Sequence, residues 1–126
     1  MKVILDTNFI LTCVKQKIDL FSRIEDIFPI AEILVPKQVI LELETLQNRS
    51  ELKLAERKAA SLALQILEKK QVKILDLKGQ ADKAIVSYVL NNENIIMASL
   101  DGAMRKHVKG KAKMLTIRNK RRIVIS

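Results

Sequence analysis

The chain has 126 residues, of which 48% are hydrophobic but only 3% aromatic, so we expect one domain with an aliphatic core. A single cysteine (Cys13) and a single histidine (His107) exclude an intramolecular disulfide and a zinc site built from Cys and His of one chain. The formal net charge is +9, and the whole excess lies in residues 102–126, where nine Lys or Arg stand without an acid.

Apolar runs and helically spaced apolar residues alternate along the chain, which predicts strands and helices in turn. In chain order we expect a strand at 2–6, helices at 7–14 and 18–28, a strand at 33–35, helices at 37–46 and 50–69, a strand at 72–75, a helix at 80–90, a strand at 95–98, a helix at 101–108, and strands at 113–117 and 122–125. This order favours a mostly parallel sheet covered by helices on both faces. The apolar stripe of the longest helix should comprise Leu52, Ala55, Ala59, Leu62 and Ile66.

The sequence carries no sign of a membrane or secretory segment. No apolar run approaches the length of a bilayer span, and the acidic Asp6 near the N-terminus is unlike a signal peptide. The lone cysteine fits a reducing compartment. We therefore expect a cytoplasmic protein with no membrane partner.

Four acids occupy positions that attract attention in this scheme. Asp6 ends the first strand and Asp101 lies just past the fourth, and binding sites of open parallel sheets form at the carboxyl ends of strands. Asp82 opens the helix before the fourth strand on the side of its apolar residues, and Glu42 lies beside an apolar stripe. We expect the four carboxylates to share one edge of the sheet.

Each acid also has a purely structural explanation. Asp6 and Asp101 fit helix N-caps, Asp82 fits a first-turn acid favoured by the helix dipole, and Glu42 fits a surface residue. Taken together, four carboxylates at one edge would repel one another unless a cation neutralised them. Mg²⁺ and Mn²⁺ are the cations that such an all-oxygen site prefers to bind.

Four segments carry a resemblance to a known family. They are LDTN at 5–8, VILEL at 39–43, ADKAIV at 81–86 and ASLD at 98–101. In order and spacing they resemble the acidic motifs of PIN-domain nucleases. The resemblance covers residues 1–126 as a single PIN domain with a basic C-terminal segment, 102–126. It looks closest to stand-alone archaeal-type PIN proteins related to ribosomal RNA-processing nucleases.

The resemblance implies a fold, a site and a reaction. The fold is a three-layer α/β/α sandwich, and the metal-binding and catalytic residues are Asp6, Glu42, Asp82 and Asp101. Asn8 and Ser99 would be auxiliary polar residues near the site. The family often has a further acid directly after the third one, where this chain has Lys83. The implied activity is that of a Mg²⁺- or Mn²⁺-dependent endoribonuclease, acting in ribosomal RNA processing. Our hypothesis for the reaction is in-line attack by an activated water, which leaves a 5′-phosphate and a 3′-hydroxyl.

Other function classes are weighed against this hypothesis. Three glycines cannot assemble a dinucleotide fingerprint or a P-loop. A non-catalytic RNA-binding PIN scaffold stays open, although the presence of all four acids speaks against it. The third interpretation is the ribonuclease toxin of a toxin–antitoxin pair, whose basic segment would meet an acidic antitoxin. We favour RNA, including a ribosomal RNA precursor, as the partner, and a homodimer stays open.

The basic segment is the expected RNA contact. One-sided clustering of positive charge indicates a phosphate-backbone partner, whereas the alternative is a solvated edge strand whose charges discourage aggregation. The expected RNA-binding residues are Arg105, Lys106, Lys109, Arg118, Lys120, Arg121 and Arg122.

Overall fold

The structure, a computed structural model, describes residues 1–119 and 121–126, which form six strands and six helices. In chain order they are β1 (Lys2–Leu5), α1 (Thr7–Lys15), α2 (Leu20–Ile27), β2 (Glu32–Pro36), α3 (Lys37–Asn48), α4 (Leu54–Lys69), β3 (Lys73–Leu75), α5 (Ala81–Leu90), β4 (Ile95–Ala98), α6 (Gly102–Val108), β5 (Met114–Arg118) and β6 (Arg122–Ile125). Every expected element is present, and the largest shift is at α4, which begins at Leu54 rather than Ser50. No helix in the described part of the chain is both long and apolar enough to cross a membrane.

All six strands lie in one sheet in the order β3-β2-β1-β4-β5-β6. The first five run parallel, and β6 returns antiparallel to β5. β1 lies inside the sheet, where Val3, Ile4 and Leu5 are completely inaccessible to solvent. A strand covered on both faces needs apolar residues at every position, which explains the unbroken apolar run of β1. The expected α/β class with a mostly parallel sheet is confirmed.

The helices form two layers. From β1 the chain moves outward to β2 and β3, and it then crosses back over β1 to build β4 and β5. Right-handed crossovers place α1–α4 on one face and α5 and α6 on the other. Accordingly α3 and α1 pack against α4, while α5 packs against α6. This is the three-layer sandwich, and its strand order reverses direction between β1 and β4, where a crevice opens at the carboxyl ends of the strands.

The buried face of α4 differs from the expected one. Its buried residues are Ala59, Ala60, Ala63 and Leu67. Leu62 is 47% exposed, and Leu52 precedes the helix. The expected stripe and the buried face share only Ala59. Three of the four buried residues are alanines, so α4 approaches its neighbours through small side chains while Leu62 is left outside.

Which face of α4 is buried can be tested by changing the side-chain size at two neighbouring positions. Leu62→Ala should change the free energy of unfolding by about 0.5 kcal/mol or less, because the side chain is already half in water. Ala63→Leu should cost about 1–3 kcal/mol, because the added atoms have no space. Urea unfolding of both variants measures the difference. A larger loss of unfolding free energy in Leu62→Ala than in Ala63→Leu would support the apolar stripe expected from the sequence.

Candidate active site

Asp6 lies at the point where the strand order reverses. It directly follows β1 and is the N-cap of α1, and only 4% of its surface is exposed. Its Oδ1 accepts a hydrogen bond from the Thr7 backbone N–H at 2.9 Å, and its Oδ2 accepts one from Ser99 Oγ at 3.0 Å. Both oxygens of a nearly inaccessible carboxylate are therefore held in fixed directions.

The pKa of Asp6 is raised from 3.8 to about 6. Burial is the main cause, because it penalises the charged form, and the charges of Asp82 and Glu42 raise it further. The hydrogen bonds from Ser99 and Thr7 act in the opposite direction. Asp6 is thus a desolvated carboxylate within electrostatic reach of two other acids.

Asp19 shows what helix capping does alone. It caps α2 from an exposed position, and hydrogen bonds from the Ser22 hydroxyl and backbone N–H lower its pKa. Asp6 caps a helix as well, yet its pKa moves the other way. The N-cap interpretation of Asp6 is therefore correct but incomplete, because capping cannot explain the upward shift.

Ser99 connects Asp6 to the second acid at this edge. The Ser99 side chain is fully buried after β4, and its Oγ accepts a hydrogen bond from the Asp101 backbone N–H at 3.1 Å while donating to Asp6. Asp101 is the N-cap of α6, with Oδ1 accepting from the N–H groups of Ala103 (2.9 Å) and Met104 (3.1 Å). One hydroxyl thus spans the ends of β1 and β4.

Glu42 and Asp82 lie on two grooves that meet at the start of α5. Glu42 and Gln80 line a groove of about 430 Å³ between α3 and the start of α5. Asp82, Asp101 and Gln80 line a groove of about 590 Å³ between α5 and α6. Both acids are exposed, so Asp82 does not turn towards the core as its helical position predicted, because the first turn of α5 lies at the open edge of the sheet.

Gln38 was missed by the sequence reasoning. It lies one helical turn before Glu42 in α3, and its Nε2 donates to the carbonyl oxygens of Leu77 (2.8 Å) and Gly79 (2.9 Å). Those carbonyls belong to the segment that leads into α5, so Gln38 ties the helix of Glu42 to the helix of Asp82. Its spacing to Glu42 indicated a shared face. The partners, 39 and 41 residues away, were not readable from a local pattern.

The donor set suits a hard cation, but the side chains are not arranged as ligands. Within residues 1–119 and 121–126, no three Asp, Glu, His or Cys side chains are placed to hold one ion as they stand. Glu42 and Asp82 are exposed and make no hydrogen bond or ion pair to another described residue, so they can rotate at little cost. The buried Thr7 hydroxyl, next to Asp6, has no hydrogen-bond partner among the described residues, as expected where water or an ion completes a site.

The remaining expected site residues are dispersed. Asn8 is exposed in the first turn of α1, next in the chain to the Asp6–Thr7 pair. Arg105 bonds internally, because its guanidinium donates to the Ser99 carbonyl at 3.3 Å and to Ser126 Oγ. Lys106 and Lys109 are exposed at the end of α6. Lys120 lies outside the described residues.

Three arginines lie at the β5–β6 turn, on the same edge of the sheet as Asp6. Leu115 pairs with Ala98, the last residue of β4, and β5 continues three residues further to Arg118. At about 3.3 Å per residue, the turn extends about 10 Å beyond the end of β4. Its described exposed arginines, which we call the basic hairpin, are Arg118, Arg121 and Arg122. Lys111 and Lys113 precede β5 and lie at the opposite edge.

The sheet order and the carboxylates at its reversal point define a doubly wound α/β protein with an acidic site. The chain belongs to the PIN-like domain family, because the family profile described as "PIN like domain" matches residues 3–120. The chain is 32% identical over 123 residues to Ribonuclease VapC4 of Methanocaldococcus jannaschii, and the alignment covers 95% of this chain and 92% of that protein. The resemblance seen in the four sequence motifs is confirmed.

Solved structures show the same relationship. The chain superposes on the PIN domain endonuclease Utp24 with a TM-score of 0.80 and 25% identity, covering 99% of this chain and 90% of that one. It also superposes on VapBC2 from Rickettsia felis, bound to a DNA fragment from their promoter, with a TM-score of 0.65 and 16% identity. That second match covers 93% of this chain and 99% of the other, and it shows the fold alone.

The raised pKa of Asp6 predicts how stability depends on pH. Between 3.8 and about 6 the folded chain holds the Asp6 proton more tightly than the unfolded chain, so this group lowers stability as pH rises through that window. In EDTA, the free energy of unfolding of Asp6→Asn should therefore exceed that of wild type by about 2–3 kcal/mol at pH 8. This difference should disappear near pH 4. Urea unfolding across pH measures it.

Asp19→Asn is the matched control. Because the pKa of Asp19 is lowered, its charged form stabilises the fold above the ordinary aspartate range and loses that effect on acidification. This variant should be less stable than wild type at pH 8, with a gap of opposite sign to that of Asp6→Asn. A stability gap for Asp6→Asn that does not vary with pH would contradict the assignment.

Proposed function

We propose that the chain is a metal-dependent endoribonuclease that hydrolyses RNA phosphodiesters at Asp6, Glu42, Asp82 and Asp101. The observation that carries the proposal is the buried Asp6 carboxylate, whose pKa is raised to about 6 beside Asp82 and Glu42. A fold has little reason to place acids around a desolvated carboxylate unless a cation joins them. Two similar proteins, Ribonuclease VapC4 and the endonuclease Utp24, support the reaction class.

Mg²⁺ or Mn²⁺ fits the oxygen donors of this edge. When bound, such a cation supplies water activation and neutralises charge that develops on the phosphate. The four carboxylates would hold it, with Asp6 and Asp101 fixed by the sheet and Glu42 and Asp82 turning in from the two grooves. A proton on Asp6 competes with a cation, so binding should strengthen as pH rises through about 6.

The neutral residues around the acids have positioning roles. Ser99 holds Asp6 through its hydroxyl and the Asp101 turn through the same oxygen. Gln38 fixes the position of α3 relative to the segment that leads into α5. Asn8, exposed beside the Asp6 turn, is placed to meet substrate or water. Rotation of Glu42 and Asp82 then changes the site without moving the backbone.

RNA is the proposed substrate because the basic hairpin lies at the same edge as the acids. Arg118, Arg121 and Arg122 are placed to neutralise backbone phosphates of a strand that crosses the site. Lys106 and Lys109 extend the positive surface along α6. A ribosomal RNA precursor as the natural substrate stays a prediction of the resemblance, a cytoplasmic location stays a prediction from the composition, and a homodimer stays open.

The direct test incubates purified protein with single-stranded and structured RNA in Mn²⁺, Mg²⁺ or EDTA. Cleavage with either cation and none in EDTA is the expected result. RNA binding without cleavage under every condition would leave the non-catalytic PIN scaffold. Growth arrest on expression, relieved by a co-expressed neighbouring acidic protein, would favour the toxin interpretation.

Asparagine substitutions separate the catalytic and structural roles of Asp6 and Asp101. Asn is about as good an N-cap as Asp, so Asp101→Asn should retain stability to within about 0.5 kcal/mol. Removing the charge should nevertheless lower cleavage at least about 100-fold in either variant, because the cation loses a ligand. Single-turnover cleavage and urea unfolding are measured together. Full activity in both variants would remove the nuclease proposal.

Glu42 and Glu44 provide a matched pair in α3. Both are exposed, but Glu42 lines the groove at the start of α5 and its charge raises the pKa of Asp6. Glu42→Gln should reduce cleavage at least about tenfold and lower the pKa of Asp6 in metal-free protein. Glu44→Gln should change cleavage less than about twofold. The reverse ranking would show that Glu44 is the acid of the second motif.

The basic hairpin is tested by the salt dependence of RNA binding. Each phosphate contact on a single strand contributes about −0.7 to the slope of log K against log salt. Replacing Arg118, Arg121 and Arg122 by Gln should therefore flatten the slope by up to about 2. The preferred cleavage position should persist, because phosphate contacts position a strand without specifying its sequence.

The control has the same change in net charge at the opposite edge of the sheet. Lys73, Lys111 and Lys113 are exposed there, and their replacement by Gln should leave most of the slope intact. Filter binding at several salt concentrations compares the two triple variants. Equal slopes for the hairpin variant and wild type, with reduced solubility of the variant, would support the solvated-edge alternative.

A further inference from the structure

The groove between α5 and α6 leads away from the acids. Both helices begin at the carboxyl edge of the sheet and run side by side, so the groove has an acidic end and a distant end. Asp82 and Asp101 line the first, and Leu90, Asn91 and His107 line the second. Asn91 lies nine positions after Asp82 along α5, which makes the groove about 13 Å long.

The two walls and the far end differ in chemistry. Leu90 and the half-buried Val86 supply apolar surface along the groove, which the almost fully buried Met104 also lines. At the far end the Asn91 Nδ2 donates to the Ser87 carbonyl (2.8 Å) and to Ser87 Oγ (3.3 Å), which fixes the side-chain amide. Asn91 is exposed, so its side-chain amide is accessible from the groove. An apolar groove that ends at an accessible amide suits a flat group with apolar faces and a polar edge.

We propose that this groove binds a nucleobase of single-stranded RNA next to the phosphodiester that is cut. The inference rests on the proposed nuclease function, because the groove is continuous with Asp82 and Asp101. Bases in a duplex are stacked and cannot enter such a slot, whereas bases of a single strand can be splayed out. The groove therefore selects an unpaired nucleotide, while the basic hairpin holds the backbone without regard to sequence.

The charges around the groove agree with a nucleotide. Lys83 lines it close to the acidic end, where the family often has another acid, and Lys106 is exposed on the adjacent helix. A base that enters the slot brings its own phosphates to the acidic end of the groove, where Lys83 lies beside Asp82. An apolar peptide would gain from the slot but not from the lysines.

Two exposed leucines give a matched test. Leu90 is 41% exposed in the groove, and Leu62 is 47% exposed on α4 outside it. Leu90→Glu and Leu62→Glu change the net charge equally. The probes are a single-stranded ten-nucleotide RNA and the same sugar-phosphate backbone with every base removed. Binding of both strands is measured in EDTA, and unfolding temperatures confirm that the variants fold.

Wild type and Leu62→Glu should bind the strand with bases about tenfold more tightly than the abasic strand, and Leu90→Glu should lose most of that preference. Asn91→Ala offers a second test if Leu90→Glu fails to fold, with an expected loss of about threefold in the same ratio. A preference that survives in these variants, or that wild type lacks, overturns the proposal, and a peptide segment would then be the better occupant.

Cleavage of the same RNA by wild type in Mn²⁺ separates this inference from the proposed function. Cleavage combined with a preference that Leu90→Glu retains removes the base site alone. A preference lost in Leu90→Glu without cleavage by wild type removes the nuclease proposal, and with it the placement of the base next to a cut phosphodiester, and leaves only a groove that binds bases.

Discussion

Burial of the Asp6 carboxylate is the constraint on which the rest of the site depends. The carboxylate follows the inaccessible residues Val3, Ile4 and Leu5 and is itself only 4% exposed, so water contributes little to its solvation, and burial is the largest influence on its pKa. Two hydrogen bonds offset part of that cost, from the Thr7 backbone and the Ser99 hydroxyl. Glu42 and Asp82 add repulsion instead of relief. A cation bound beside Asp6 would offset this repulsion, and that connects the fold to the proposed chemistry.

The strand order explains why the acids meet at this position. β1 and β4 are neighbours in the sheet although most of the chain separates them, and their following segments diverge to opposite faces. The divergence opens the crevice in which Asp6 and Asp101 share Ser99. α5 begins at this crevice, so its two sides become the two grooves. The position of Asp82 at their junction follows from the crossover of α5 from β3 to β4.

The basic residues of the C-terminal segment lie on different surfaces of the fold. Lys111 and Lys113 precede β5 and lie at the amino end of the strands. The basic hairpin follows β5 and lies at the carboxyl end, on the same side as the acids. Arg105 differs from both groups, because its guanidinium joins the Ser99 carbonyl to Ser126. A count of charges would treat these residues alike. Their placement in the sheet assigns them to different surfaces.

The sequence by itself determined the elements, the α/β class and the positions of Asp6 and Asp101 after their strands. These features follow from patterns within a few residues: an apolar run for a buried strand, helical spacing for a helix, and an acid where each strand stops. The motif resemblance extended this to Glu42, Asp82 and the family. How the acids are used as ligands stays a prediction.

Only the tertiary structure decided which face of α4 is buried, how Gln38 joins two helices, that Asp82 is exposed, and which basic residues share the edge of the acids. Two phases of apolar spacing in α4 were locally acceptable, and the packing of α4 in the folded chain selected the one that buries Ala60 and Ala63. The partners of Gln38 and the reach of the hairpin depend on strand pairing between distant segments. Local patterns carry no information about such distances, because they are set by the sheet as a whole.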